Sequence, residues 1–220
     1  MINIVSTKHD HDGEPFRASV HKDLLCAYSA HYSAVLERRS SEDKEDAIKM
    51  DLPWCRMQNL VGWLYTGTMA WDDLDELLEL YVFADQTKIL ALRRFIMSKI
   101  IQDYDLDCED SMPYLERLSH SCGLFRYLVD LWAGKWSQMI DHPYQIEELD
   151  GHGRIPRMFF YQALRKLAIM VDDKEFIMAA LKIPDNYHEH LNVSEWKTSK
   201  SLSCPISLKL VPVLNQGSLP

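Results

Sequence analysis

Glycine is scarce, eight in 220 residues, and the closest pair, Gly151-His152-Gly153, is too sparse to build a phosphate-cradling loop and has no clear strand ahead of it. No G-x-S-x-G elbow is present, and neither Cys26 nor Cys122 has a histidine at a suggestive spacing, so no nucleophilic site is expected. The five cysteines, Cys26, Cys55, Cys108, Cys122 and Cys204, are odd in number and contain no C-x-x-C pair. That excludes a regular disulfide framework and a cysteine-based zinc site, and fits a reducing intracellular compartment, cytoplasm or nucleus. Positive charge is also in deficit: 24 Lys and Arg face 33 Asp and Glu, for a formal net charge of -9. Such a field repels phosphate backbones, so nucleic acid is not an expected partner. No apolar run is long enough to span a bilayer, and the first residues, Met1 to Ser6, carry no basic lead of a signal peptide, so no membrane partner is expected.

Hydrophobic residues make up 47% and charged residues 26%, proportions that bury a core rather than leave a chain unfolded. Ile2 to Ser6 and Phe16 to Val20 are β-rich runs separated by polar turn residues, which predicts an antiparallel hairpin. Leu24, Tyr28, Tyr32 and Val35 then recur at helical spacing, with Ser29 placed to divide two short helices. Glu37 to Asp46 reads as a solvated connection, and Ala47 to Leu52 alternates as a half-buried strand. Pro53 suits a first helical turn; Trp54, Met57, Val61 and Leu64 follow as an apolar stripe, and the helix ends near Gly67. Asp72-Asp73 is placed to cap a helix whose inner face is Leu74, Leu77, Leu78, Tyr81 and Val82, and Ile89, Leu92, Ile96 and Ile100 mark the next.

These elements define an α+β unit over residues 2–101. A helical region, 102–191, follows: an acidic connection at Asp103 to Asp110, a cap at Ser121 before Phe125, Leu128, Val129 and Trp132, a loop punctuated by Gly134, Pro143, Gly151, Gly153 and Pro156, and two helices near Phe159 to Ile169 and Asp172 to Leu181. Residues 192–220 carry no strong period and are expected to be a disordered tail.

Two histidine groups are candidate metal ligands. His9-x-His11 with Asp10 and Asp12 reads more simply as a polar hairpin loop, and His188-Glu189-His190, with Cys204 as a third donor, lacks the H-E-x-x-H spacing that sets two ligands on one helix face. The acids from Asp72 to Glu79 offer paired carboxylates but suit a helix cap and solvated face. The expectation is therefore no catalytic residue, no metal and no cofactor. Among aromatics, periodicity puts Trp54 in the core and leaves Trp63 off the stripe as a partly exposed partner anchor; Trp71 would cover the edge of a short strand after Gly67, and Ile2 to Val5 would form an exposed sheet edge open to strand addition.

The ordered blocks Phe16-Arg17-Ala18-Ser19-Val20-His21-Lys22-Asp23-Leu24-Leu25, Tyr28-Ser29, Tyr32, Ile48 to Leu52, Trp63-Leu64-Tyr65-Thr66-Gly67 and Leu80-Tyr81-Val82-Phe83-Ala84-Asp85 followed by Leu92-Arg93 resemble the BTB/POZ family, in particular its fungal members. Leu124 to Asp130 and Asp185-Asn186-Tyr187-His188-Glu189-His190 look similar to fungal members as well. The resemblance implies a small mixed sheet flanked by helices, followed by an α-helical C-terminal extension, acting without catalysis as a dimerisation or adaptor module for protein partners. Where such proteins recruit substrates to a ubiquitin ligase, the cullin scaffold docks near the equivalents of Trp54 to Leu64, beside a hydrophobic-x-acidic motif that Leu74-Asp75-Glu76 matches in composition. The implied partner-binding residues are Trp63, Leu74 and Glu76, with a homodimer or a cullin-type ligase adaptor as the two forms of assembly. Members forming swapped dimers carry an extra N-terminal segment; this sequence starts almost at the first strand, so Lys22 is expected to lack its acidic partner.

Overall fold

A computed structural model describes residues 1–9, 15–38, 47–70, 73–106, 108–139, 155–170 and 174–189. They fall into two compact units, one within residues 1–71 and one within 72–189. This division lies well before Ile101, where the sequence suggests a boundary. The class is α+β, and all strands among the described residues belong to the first unit.

In the first unit, β1 (Ile2–His9) pairs antiparallel with β2 (Pro15–Val20), Ile2 opposite Val20 and Val5 opposite Arg17. The same strand pairs in parallel with β3 (Ala47–Met50), from Asn3 opposite Ala47 to Ser6 opposite Met50. The sheet order is β2-β1-β3, so the first strand is central and bonded on both sides, not the open edge expected for Ile2 to Val5. The reason is topological: a parallel return needs a crossover, and α1 (Lys22–Tyr28) and α2 (Ala30–Arg38) supply it, delivering β3 to the vacant side of β1. Alternation sends Ile4, Ser6, Val20, Ile48 and Met50 inward.

Ser29 divides α1 from α2 as expected. Its N–H closes α1 on the Leu25 carbonyl at 3.0 Å, and its buried hydroxyl accepts the Tyr32 N–H at 3.1 Å, so one residue ends one helix and caps the next. Leu25, Tyr32 and Leu36 form the buried stripe across the break. Helix α3 (Trp54–Thr66) packs on β1 and β2 through Met57, Leu60 and Leu64 and ends on Gly67, whose φ of 69° is the left-handed cap conformation open to glycine. Pro53 stands at the N-cap, one residue before the first turn. Residues 68–70 form no strand, and Trp71 lies outside the described residues.

The second unit is helical: α4 (Leu74–Gln86), α5 (Leu90–Asp103), α6 (Cys108–Leu115), α7 (Gly123–Met139), α8 (Arg157–Met170), α9 (Lys174–Leu181) and a 3-10 turn at Pro184–Asn186. Helix α4 buries Leu80, Phe83 and Ala84 besides the predicted Leu77, Leu78, Tyr81 and Val82, which makes it apolar on nearly every side rather than amphipathic. Asp73 is its N-cap residue but makes no side-chain cap bond. Its C-terminus turns through Lys88 at φ 57°, with the Ile89 N–H on the Ala84 carbonyl at 2.8 Å.

Gly134, expected to open a loop, sits inside α7, because the apolar period from Phe125 to Trp132 carries the helix past it. The cap before α7 is Cys122 instead of Ser121: the Cys122 carbonyl accepts the Arg126 N–H at 3.2 Å and its sulfur accepts the Phe125 N–H at 3.4 Å. Phe159 fills the core between edge-on partners, Phe125 at 5.6 Å and Trp132 at 5.4 Å between ring centroids. The loop from Pro143 to Gly153, the tail at 192–220 and most of the connection from Glu37 to Asp46 lie outside the described residues.

Candidate interaction surfaces

At about 100° per residue, Trp54 and Trp63, nine positions apart, stand on opposite sides of α3. Helix α3 uses that geometry in the reverse of the expected sense. Trp63 is 5% exposed and packs against the Tyr28 ring at 5.2 Å, whereas Trp54 is 39% exposed. The stripe read as 54, 57, 61 and 64 is rotated in the fold toward 57, 60, 63 and 64, because the sheet lies under Leu60 rather than under Val61.

The outer face of α3 therefore presents Trp54, Gln58, half-buried Val61 and Tyr65, which is 46% exposed. Both large aromatics are held in place. Phe16 of β2 meets the Trp54 ring edge-on at 5.7 Å. The Tyr65 hydroxyl accepts the His21 main-chain N–H at 3.0 Å and lies 2.9 Å from His21 Nδ1. Aromatic groups braced in this way lose little conformational entropy when a partner covers them.

In the second unit, Leu74 and Glu76 are both half-buried in the first turn of α4, and Asp75 between them accepts the Tyr114 hydroxyl at 3.0 Å. The triplet's middle carboxylate is thus already engaged.

A dense group of polar contacts surrounds Glu189. Its Oε1 accepts the Gly123 N–H at 2.8 Å and the Tyr81 hydroxyl at 3.1 Å, while Oε2 meets Arg93 Nη1 at 2.7 Å. The same Arg93 nitrogen reaches Asp85 Oδ1 at 2.7 Å, and Asp85 Oδ2 accepts the Ser119 N–H at 2.8 Å. Tyr81 in turn accepts the Leu124 N–H at 3.0 Å. A carboxylate and a hydroxyl therefore receive the first N–H groups of α7, where the helix dipole favours negative charge. Burial, with the nearby Cys122 and Glu189, pushes the Tyr81 phenol well above its ordinary value. Desolvation raises the Cys122 thiol to about 12. Both groups stay protonated at neutral pH, which suits a packed joint.

His188 is buried, with Nε2 at 2.8 Å from the Ser98 hydroxyl. His190 and Cys204, and the residues from Asp10 to Asp12, lie outside the described residues. Among the described residues no group of three or more His, Cys, Asp or Glu side chains is placed to hold a metal ion, and no helix is long and apolar enough to cross a membrane. No protein-family model and no curated protein matches the chain.

Proposed function

We propose that this chain is an intracellular, non-catalytic protein-interaction module of BTB/POZ type, working by self-association or by presenting a partner to a larger assembly. One observation carries the reading: the outward face of α3 spends a tryptophan and a tyrosine on solvent while fixing both through Phe16 and His21. Tryptophan and tyrosine are the residues most often found to dominate binding energy at protein interfaces. Supporting it are the ordered sequence blocks and the small three-stranded sheet with α3 packed on it. A specific interface needs about 1,000 Å² of total buried surface, so neighbouring residues must contribute beyond the two aromatics.

The sharper form of the reading is an adaptor for a cullin scaffold, favoured by the half-exposed Leu74 and Glu76 on α4. Sedimentation of the full chain at tens of micromolar, alongside Trp54→Ala plus Tyr65→Ala, tests self-association; pull-down with a cullin scaffold, alongside Leu74→Ala plus Glu76→Ala, tests the adaptor. Loss of mass or of capture in the matching variant is the expected result. A wild-type chain that stays monomeric and retains no scaffold sinks the proposal.

A further inference from the structure

A groove of about 810 Å³ runs along the second unit between α7, α8 and the segment ending at Tyr187. That is within the range of sites that enclose a ligand, about 300–1,000 Å³. Its charge is opposite to that of the molecule. Among the described residues, Arg126, Arg165 and Lys166 line it with a single carboxylate, Asp130, in a chain of net charge -9. Asp130 is already committed: Oδ1 meets Lys166 Nζ at 2.9 Å and Oδ2 accepts the Tyr187 hydroxyl at 3.1 Å. The Arg126 and Arg165 side chains, both exposed, pair with no carboxylate among the described residues. Beside them Met158 is 46% and Tyr161 59% exposed, and both line the same groove.

We propose that this groove docks an acidic amphipathic segment of a protein partner, its carboxylates taken by Arg126 and Arg165 and its apolar side chains by Met158 and Tyr161. The guanidinium fork matches a carboxylate with two parallel hydrogen bonds, and methionine, tyrosine and arginine are the types enriched in interface cores. Methionine adapts its shape to varied apolar side chains. A small anion would use the arginines and leave Met158 and Tyr161 in water. A polyanionic nucleic acid would meet the repulsion of the whole molecule, whereas a short acidic segment carries far less charge into that field. The inference rests on the reading of the chain as a protein-docking module but uses a different surface, so the two fail separately.

The test is fluorescence anisotropy of a labelled helical peptide with Glu and Asp on one face and Leu and Phe on the other, titrated with the full chain. Saturable binding is expected, weakened about tenfold by Arg126→Glu plus Arg165→Glu and again by raising salt, as exposed charge pairs require. Tyr161→Ser should weaken it severalfold without changing the salt dependence. All three positions are exposed, so circular dichroism should show unchanged thermal midpoints. A peptide with Lys in place of the acids should not bind. The proposal is overturned if the acidic peptide fails to bind, if its affinity ignores the double arginine reversal, or if single-stranded oligonucleotide or phosphatidylserine vesicles bind through these arginines in its stead. Binding of the peptide by a chain that neither self-associates nor holds a cullin would uphold this site while removing the other reading.

Discussion

One methyl group at Gly123 tests how tightly the segment ending at Glu189 is seated on α7. A Cβ there would lie 2.0 Å from the Tyr187 carbonyl oxygen and 3.3 Å from the Tyr81 hydroxyl. The nearer atom belongs to main chain and cannot rotate away. Restoring ordinary contact needs a retreat of about 1 Å or more, which strains the Gly123 to Glu189 bond at 2.8 Å, the Tyr187 to Asp130 bond at 3.1 Å and the His188 to Ser98 bond at 2.8 Å. Overpacking of a filled site costs about 1–3 kcal/mol, and weakening hydrogen bonds adds about 1 kcal/mol for each one lost, so Gly123→Ala should destabilise by about 3 kcal/mol.

Helix propensity argues the opposite sign. Gly123 is not among the residues with positive φ, and alanine in a helix is normally better than glycine by up to about 1 kcal/mol. Gly62 isolates that term, since nothing lies within 4 Å of a Cβ built on it in the middle of α3; Gly62→Ala should stabilise by about 0.5–1 kcal/mol. Urea denaturation followed by circular dichroism reads both midpoints and slopes. A neutral or stabilising Gly123→Ala would refute the reasoning, because only the close approach of Tyr187 opposes the propensity gain.

Three further outcomes are expected. Glu189→Ala should cost about 2–4 kcal/mol in the same denaturation assay, less than for a fully buried ion because the side chain keeps some solvent, and Glu189→Gln should recover part of the loss by retaining an acceptor for Gly123. Lys88→Gly should raise the unfolding free energy in that assay by about 0.5–1 kcal/mol, since it removes a side chain from a left-handed backbone position; no gain would mean the Lys88 side chain contributes more than the strain. Alkali should destabilise the fold: the unfolded Cys122 thiol ionises near 9.0 and the folded one near 12, with Tyr81 raised in the same direction. The unfolded chain thus gives up protons first, stability is undiminished below pH 9, and it declines as pH rises toward 12. Thermal midpoints that stay level from pH 9 to 11 would count against this burial.

Periodicity and turn chemistry made much of the first unit legible. The hairpin, the break at Ser29, the strand at Ala47 and the glycine stop of α3 are local decisions, set by side-chain alternation and by hydrogen bonds a few residues apart. Most helices of the second unit were legible for the same reason, but α6 begins at Cys108 inside the stretch Asp103 to Asp110 expected to be a connection, and α7 runs on through Gly134. The edge or centre of the sheet was not, because β1 acquires its second neighbour from a strand more than forty residues away in sequence.

The facing of α3 was also settled by tertiary structure: several apolar stripes fit its sequence, and the sheet beneath Leu60 selects the one that buries Trp63 and exposes Trp54. The role of Tyr187-His188-Glu189 needed the fold most of all. In the sequence they are part of a polar string, two of them in the His188-Glu189-His190 group weighed as metal ligands; their carboxylate, imidazole and carbonyl acquire meaning when α4, α5 and the start of α7 converge on them. Local backbone preference is encoded within a few residues, whereas burial and pairing depend on which distant surfaces arrive, and that information is spread over the whole chain.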